Sequence, residues 1–283
     1  MSEPYSCEKQ YIANFGYPVW ENPTEHMVNA AFEHHGLSWK YVTYEVPAGS
    51  LKAAFEGVKA LGYRGFNCTL PHKVAIIEHL DGLGESAEVM GAVNCVVNRG
   101  GKYIGENTDG KGFLESLTPV VDPAGKIVLI FGAGGAARAV SVELALSGAT
   151  LITIVNRSAG RGKELVKLIN SKTQAQATYE PWEGDYAIRG GVDIVVNSTS
   201  IGLFPDSSRV AVDVSTLRAD LVVADIIPNP PRTAFLTEAE AAGCSTIDGM
   251  GMLVNQGKIG IKYWTGVEPD ASAMRAALEE IFD

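Results

Sequence analysis

The hydrophobic rhythm of the chain changes repeatedly, and each change marks an element. "YIANFGYPV" is apolar over most of its length and reads as a strand. "PTEHMVNAAFEHHG" then spaces its apolar residues three and four apart, as a helix does. "WKYVTYEV" returns to aromatic and β-branched residues and a strand, "SLKAAFEGVKALG" to a helix, and "GFNCTL" to a strand. A helical segment is predicted over residues 71–80, and "GAVNCVVNRGGKYIGENTDG" reads as two strands joined by a turn at residues 98–101. A second series begins near residue 126. Its runs "KIVLIFG", "LITIVN", "VDIVVNST" and "LVVADII" are short, apolar and separated by helix-length segments, the pattern of buried parallel strands. The hinge between the two series is expected around residues 111–125, and the chain from about residue 250 reads as helix.

Composition narrows the classes. With 283 residues, nearly half of them apolar, the chain suits two α/β domains better than one. A formal charge of -10 argues against nucleic acid or an anionic membrane surface as partner. No apolar run reaches the roughly 18 residues of a membrane span, and "MSEPYSCEKQ" lacks the apolar middle of a secretion signal, so a cytoplasmic protein is expected. The four cysteines are scattered without a CxxC pair, and His26, His34, His35, His72 and His79 show no ligand spacing, so no metal site is expected.

Two stretches carry chemistry. "VLIFGAGGAARAVSVELALSG" places Gly132, Gly134 and Ala137 in a G-x-G-x-x-A pattern between a strand and a helix. The first glycine permits a tight turn, the second lets backbone N–H groups approach a pyrophosphate, and the small third residue lets the helix pack on the sheet. The next strand ends in Asn156, Arg157 and Ser158, with Arg161 following, where an NAD site would present Asp or Glu to the ribose. Guanidinium groups suit a 2′-phosphate and a carboxylate would repel it, which favours NADP over NAD. In "GFNCTLPHK" a strand breaks at Pro71 and presents Lys73, which can be a solvated helix-start charge or a proton-transfer group. Asn94 in "GAVNCVV" and Asp109 in "GENTDGKGF" are the polar residues that could meet it, although a Lys–Asp pair is more often a surface ion pair.

With these motifs in place, the chain resembles the shikimate dehydrogenase family over nearly its whole length. "GFNCTLPHK", "GAVNC", "GENTDGKGF", "GAGGAARA", "NRS" and "DGMGMLVNQG" occur in the family's order and at its spacing. The resemblance implies an N-terminal α/β substrate domain with a mainly parallel sheet, a Rossmann-type NADP-binding domain, and an active site in the cleft between them. The substrate domain would comprise residues 1–112 plus about 252–283, and the cofactor domain 113–251. It implies Lys73 and Asp109 as the catalytic acid–base pair, and Thr69, Asn94, Asp109 and Gln256 as contacts to a cyclitol acid. Gly132, Ala133, Gly134, Gly135 and Ala136 correspond to the diphosphate loop, and Asn156, Arg157, Ser158 and Arg161 to the 2′-phosphate patch. Ile226 is placed with the cofactor and Gly249 beside the nicotinamide. The expected activity is NADP-dependent interconversion of 3-dehydroshikimate and shikimate. Alternatives are a quinate or other cyclitol dehydrogenase of the same family, and a non-catalytic NADPH-binding sensor. Retention of Lys73, Asp109, Asn94 and Gln256 speaks against the sensor, and a homodimer stays open.

Two departures stand out. The family usually has H-S-x-S-P after "G-x-P-[IV]", its serines holding the substrate carboxylate. Here Asn22 and Thr24 stand at the serine positions and Glu25 replaces the proline. Asn22 as N-cap, Pro23 at the first helical position and Glu25 at the third would also make a well-formed helix start. Pro228 stands where the family usually has a substrate-reaching tyrosine, and proline offers no donor there.

Overall fold

β1 (Gln10–Gly16) sends Ala13 and Phe15 into one apolar cluster, while Ile12, Asn14 and Gly16 face the opposite side of its sheet. α1 (Thr24–His34) buries Met27, Val28, Ala31 and Phe32 at helical spacing. β2 (Trp39–Glu45) pairs in parallel with β1, α2 (Leu51–Ala60) buries Leu51, Phe55 and Val58, and β3 (Gly65–Cys68) takes the other side of β1. The segment read as one helix over residues 71–80 is α3 (His72–Ala75) followed by a 3₁₀ turn, Ile76–His79. β4 (Gly82–Leu83) and α4 (Glu85–Met90) were too short to announce themselves by periodicity. β5 (Cys95–Arg99) and β6 (Lys102–Glu106) form the expected hairpin, whose turn uses Gly100 and Gly101 at φ of 65° and 92°. The strand order is β2-β1-β3-β5-β6-β4, with β5 antiparallel to both neighbours, so this sheet is mixed.

The edge strand β2 is closed by side chains of α1. Asn29 accepts the Tyr41 N–H at 2.9 Å and donates to the Tyr41 carbonyl at 3.0 Å, as a neighbouring strand would. Four residues earlier on the same helix face, the Glu25 carboxylate accepts the Thr43 N–H at 2.7 Å. Glu25 therefore does not fold back on its own helix end, as a capping box would have it.

The second sheet is wholly parallel. α5 (Thr108–Leu117) leads into β7 (Ile127–Phe131), α6 (Gly135–Leu146), β8 (Leu151–Asn156), α7 (Ala159–Lys172) and β9 (Gln176–Pro181). β10 (Ile194–Asn197), β11 (Val222–Asp225), α8 (Ala234–Ala241) and β12 (Ser245–Ile247) complete it. The order β12-β11-β10-β7-β8-β9 winds outward in both directions from β7 and β10, the doubly wound arrangement of a Rossmann domain. α9 (Gly249–Thr265) and α10 (Ala271–Phe282) end the chain.

In this computed structural model, which describes residues 8–282, the chain divides into two units. One holds residues up to Asn107 with Gly257–Ile281, and the other holds Thr108–Gln256. The boundaries fall at 107/108 and 256/257 in place of 112/113 and 251/252 because α5 packs wholly within the second unit. A Cβ at Gly110 would lie 2.5 Å from the Ala139 carbonyl oxygen, and one at Gly112 would lie 2.6 Å from the Gln256 nitrogen. Such approaches admit only glycine. Cys7 lies outside the described residues. Among those described, no helix is long and apolar enough to cross a membrane.

Asn29→Ala would leave the buried N–H and C=O of Tyr41 without partners, at about 1–3 kcal/mol for each unsatisfied group. The variant should show a lower urea midpoint than the parent at unchanged m-value. An unchanged midpoint would mean that water replaces both bonds at no cost.

Candidate active site

In the first unit, backbone hydrogen bonds gather Thr69, Lys73 and Asn94. The Cys68 N–H donates to the Asn94 carbonyl at 2.9 Å, the Val93 N–H to the Lys73 carbonyl at 2.7 Å, and the His72 N–H to the Thr69 carbonyl at 2.8 Å. The short α3 is thereby stitched to the loop before β5. His72 completes the anchor: it is buried, and its Nε2 lies 2.7 Å from the Val46 carbonyl oxygen. With His72 held inward, Lys73 stays half-buried at the start of the turn. The buried Cys68 thiol beneath is pushed well above its ordinary range by burial, against the opposing field of the Lys73 ammonium, and stays protonated.

Asn67, inside the motif that ends on Lys73, ties two elements together. Its Oδ1 accepts the Tyr41 hydroxyl at 2.7 Å, and its Nδ2 donates to the Asn94 carbonyl at 2.8 Å. A polar residue in an otherwise apolar four-residue strand was the available signal. At the start of α1, Asn22 Oδ1 accepts the Thr24 N–H at 2.9 Å, so Asn22 does cap the helix, and Pro23 has helical angles of -77° and -5°. Thr24 is buried, and Glu85 is an exposed residue of α4.

In the second unit the strand β7 ends on Gly132 at φ 110°, where a Cβ would lie 2.9 Å from the Ser198 carbonyl oxygen. Gly134 and Gly135 are exposed, and a Cβ on either would meet nothing within 4 Å. No side chain caps α6 at Gly134, so the first N–H groups of a twelve-residue helix face open space beside Ala133 and Ala136. Across the sheet, Asn156 donates to the Ser158 carbonyl at 2.9 Å, and no side chain caps α7 at Ser158. Arg157 and Arg161 are exposed, and neither joins an ion pair among the described residues. Uncapped helix starts and two unpaired guanidinium groups fit a dinucleotide carrying an extra phosphate.

Ile226 and Gly249 meet, since a Cβ at Gly249 would lie 2.2 Å from the Ile226 carbonyl carbon. Asp225, unremarked in the sequence, holds this corner. Its buried carboxylate accepts Asn197 Nδ2 and the Ile227 N–H at 3.0 Å each and the Thr233 hydroxyl at 2.9 Å, and Thr233 in turn caps α8. Both ends of the loop carrying Ile226 and Pro228 are tied to one carboxylate. Gln256 is buried at the far end of the first half of α9, its Oε1 3.5 Å from the Thr108 hydroxyl one residue before Asp109. Among the described residues, no group of three or more His, Cys, Asp or Glu could hold a metal ion.

Comparison with known proteins places this arrangement. The shikimate dehydrogenase substrate binding domain matches residues 15–96, the shikimate/quinate 5-dehydrogenase domain 117–230, and the shikimate 5′-dehydrogenase C-terminal domain 249–279. The chain belongs to the shikimate dehydrogenase family. Among curated members, shikimate dehydrogenase (NADP(+)) of Shouchella clausii is 41% identical over 262 residues, covering 92% of this chain and 94% of that protein. Among solved structures, ligand-free 5-ketofructose reductase of Gluconobacter sp. strain CHM43 is 50% identical with a TM-score of 0.96, covering 98% of this chain and 100% of that one. A shikimate dehydrogenase in complex with NADP+ is 38% identical with a TM-score of 0.89, covering 97% of this chain and 96% of that one.

Within the family, the doubly wound second sheet is the Rossmann half, and the mixed sheet belongs to the substrate-domain half. Pro228 is half-buried on the loop that Asp225 anchors.

Burial raises the Asp225 carboxyl from its ordinary 3.8 to about 6, the hydrogen bonds opposing the shift. The folded chain therefore holds this proton more tightly than the unfolded one. The associated stability is complete below pH 3.8 and is lost as pH rises through about 6. A shift of that size corresponds to roughly 3 kcal/mol. Asp225→Asn cannot ionise, so parent stability relative to the variant should fall between about pH 4 and pH 7 in paired urea titrations. A pH-independent difference would contradict the assignment.

Proposed function

We propose that the chain is a cytoplasmic NADP-dependent oxidoreductase of the shikimate dehydrogenase type, reversibly reducing 3-dehydroshikimate to shikimate. The observation that carries the cofactor is the end of β8, where Asn156, Arg157, Ser158 and Arg161 stand in place of an acidic residue. Support for the substrate comes from the curated relatives, which are NADP(+)-dependent shikimate dehydrogenases at about 40% identity. The quinate alternative is not favoured by them. Bound NADPH supplies the hydride that reduces the ketone, and NADP accepts it in the reverse direction.

The chain's own residues do the rest. The N–H groups at the start of α6 take the diphosphate, and Arg157 and Arg161 take the 2′-phosphate. Lys73 donates a proton to the carbonyl oxygen as the hydroxyl forms and takes it back on oxidation, with Asp109 as its acid–base partner. Thr69, Asn94 and Gln256 contact substrate hydroxyls, while Asn22 and Thr24 offer an amide and a hydroxyl to the acid group. Lys73→Met should lower kcat by at least about a hundredfold while sparing NADP affinity. A variant with parental kcat would reduce Lys73 to a helix-start charge. Arg157→Ala should raise KM for NADP by roughly tenfold, the loss of one charged hydrogen bond, with little change for NAD. Equal losses for the two would argue against a 2′-phosphate site.

A second reading replaces the cyclitol acid by a neutral polyhydroxylated ketone. It is favoured by the 50% identity to 5-ketofructose reductase and by Asn22 and Thr24 standing where the family has its carboxylate-holding serines. NADPH oxidation measured with 3-dehydroshikimate and with 5-ketofructose separates the readings: the ketone with the higher kcat/KM is the substrate class.

A further inference from the structure

Among the described residues, the first sheet contains one buried polar side chain whose presence the fold does not explain. Asn14 is 1% exposed, sits in a strand whose neighbours Ile12, Ala13 and Phe15 are all buried and apolar, and has no partner for its Nδ2. Asparagine is disfavoured in strands, and an unsatisfied buried donor weakens the fold. A valine would remove both costs. The position is next to the site residues. In register, Asn14 lies beside Thr43 on one side and Asn67 on the other, so the three side chains share a face. Asn67 is already committed to Tyr41 and to the Asn94 carbonyl. Thr43 Oγ1 is likewise buried without a partner. One pleat nearer the strand ends on that face come Gly16 and Thr69, and a Cβ on Gly16 would lie 2.5 Å from the Thr69 methyl carbon. Such a Cβ would also lie 2.7 Å from a Val19 methyl carbon, so Thr69 and Val19 together form the roof over this end of the Asn14 face.

We propose that Asn14 is a specificity-determining residue whose amide N–H donates to an oxygen of a polyhydroxylated substrate, with Thr43 Oγ1 as the second polar group at that depth. This rests on the reading of the chain as an NADP-dependent oxidoreductase of such substrates. A donor left unmet in the free protein and met in the complex weakens the fold and strengthens binding, a pairing that an ordinary core residue does not produce. A lone buried water between Asn14 and Thr43 is the competing occupant, and it predicts the opposite sign for stability.

The experiment compares Asn14→Val and Thr43→Val with the parent, using NADPH with 3-dehydroshikimate and with 5-ketofructose. Asn14→Val should raise KM for whichever ketone the parent reduces by about three- to tenfold, the loss of one neutral hydrogen bond, with KM for NADPH unchanged. The ligand-free variant should melt about 2 °C or more above the parent, and Thr43→Val should shift in the same directions. A lower melting temperature for Asn14→Val, or an unchanged ketone KM, overturns the proposal in favour of a structural amide or a buried water. Failure of the parent to reduce either ketone would sink the functional reading instead. The melting comparison would then still judge Asn14, a rise supporting an unmet donor and a fall overturning it.

Discussion

The hydrogen bond from the Tyr41 hydroxyl to the Asn67 carboxamide is the constraint on which the substrate half depends. It is 2.7 Å long and fully buried, and it is one link of a chain. Asn29 fixes the Tyr41 backbone, Tyr41 fixes Asn67, and Asn67 fixes the carbonyl of Asn94. Burial lifts the Tyr41 phenol well above its ordinary 10, so the donor persists at any working pH. Position is thus passed from the rim of the sheet to the residues that flank Lys73 through polar groups whose geometry tolerates little error. Apolar packing would transmit the same position less sharply, because several rotamers fill a greasy volume almost equally well.

The cofactor half works by a different logic. Its geometry is mostly backbone: a left-handed glycine after β7, two uncapped helix starts, and close approaches that exclude a Cβ. Side chains enter mainly as charge, at Arg157 and Arg161, and as the single carboxylate of Asp225 that ties the loop after β11. One half is therefore built on a hydrogen-bonded floor, and the other presents uncapped helix starts and, among the described residues, guanidinium groups outside any ion pair.

This division also decides what could be read in the sequence. The glycine turn, the neutral end of β8 and four of the parallel strands are local signals, and each could be read from a few adjacent residues. β9 and β12 escaped because an edge strand with Gln176, Glu180 and Pro181, and a strand of three residues, carry no periodic pattern. β4 and α4 escaped for the same reason of length. Glu25 looked like a helix-start residue, and its true partner lies eighteen positions away on β2. Asn67, Asn14 and Asp225 show in the sequence only as polar letters in apolar strands, with no role attached. Their meaning lies in strand register and in which carbonyl or hydroxyl stands opposite, and one sequence does not display either. His72 beside Lys73 is the sharpest case: two basic residues in a row look alike on paper, yet one is a buried plug and the other is half-exposed.

The clamp of Glu25 and Asn29 on β2 has a consequence for the molecule among its copies. A bare outer strand is a template on which any extended segment can crystallise, and a crowded cell supplies such segments continually. Here the Tyr41 N–H and C=O and the Thr43 N–H are already taken by side chains of a helix impersonating a strand. At the opposite border of the same sheet, β4 offers only two residues. One margin is thus partly covered and the other is short, and both features work against a second copy lengthening the ladder. The residues that fix the helix opening at Thr24 against β2 are thus also the ones that guard the outer edge of the sheet.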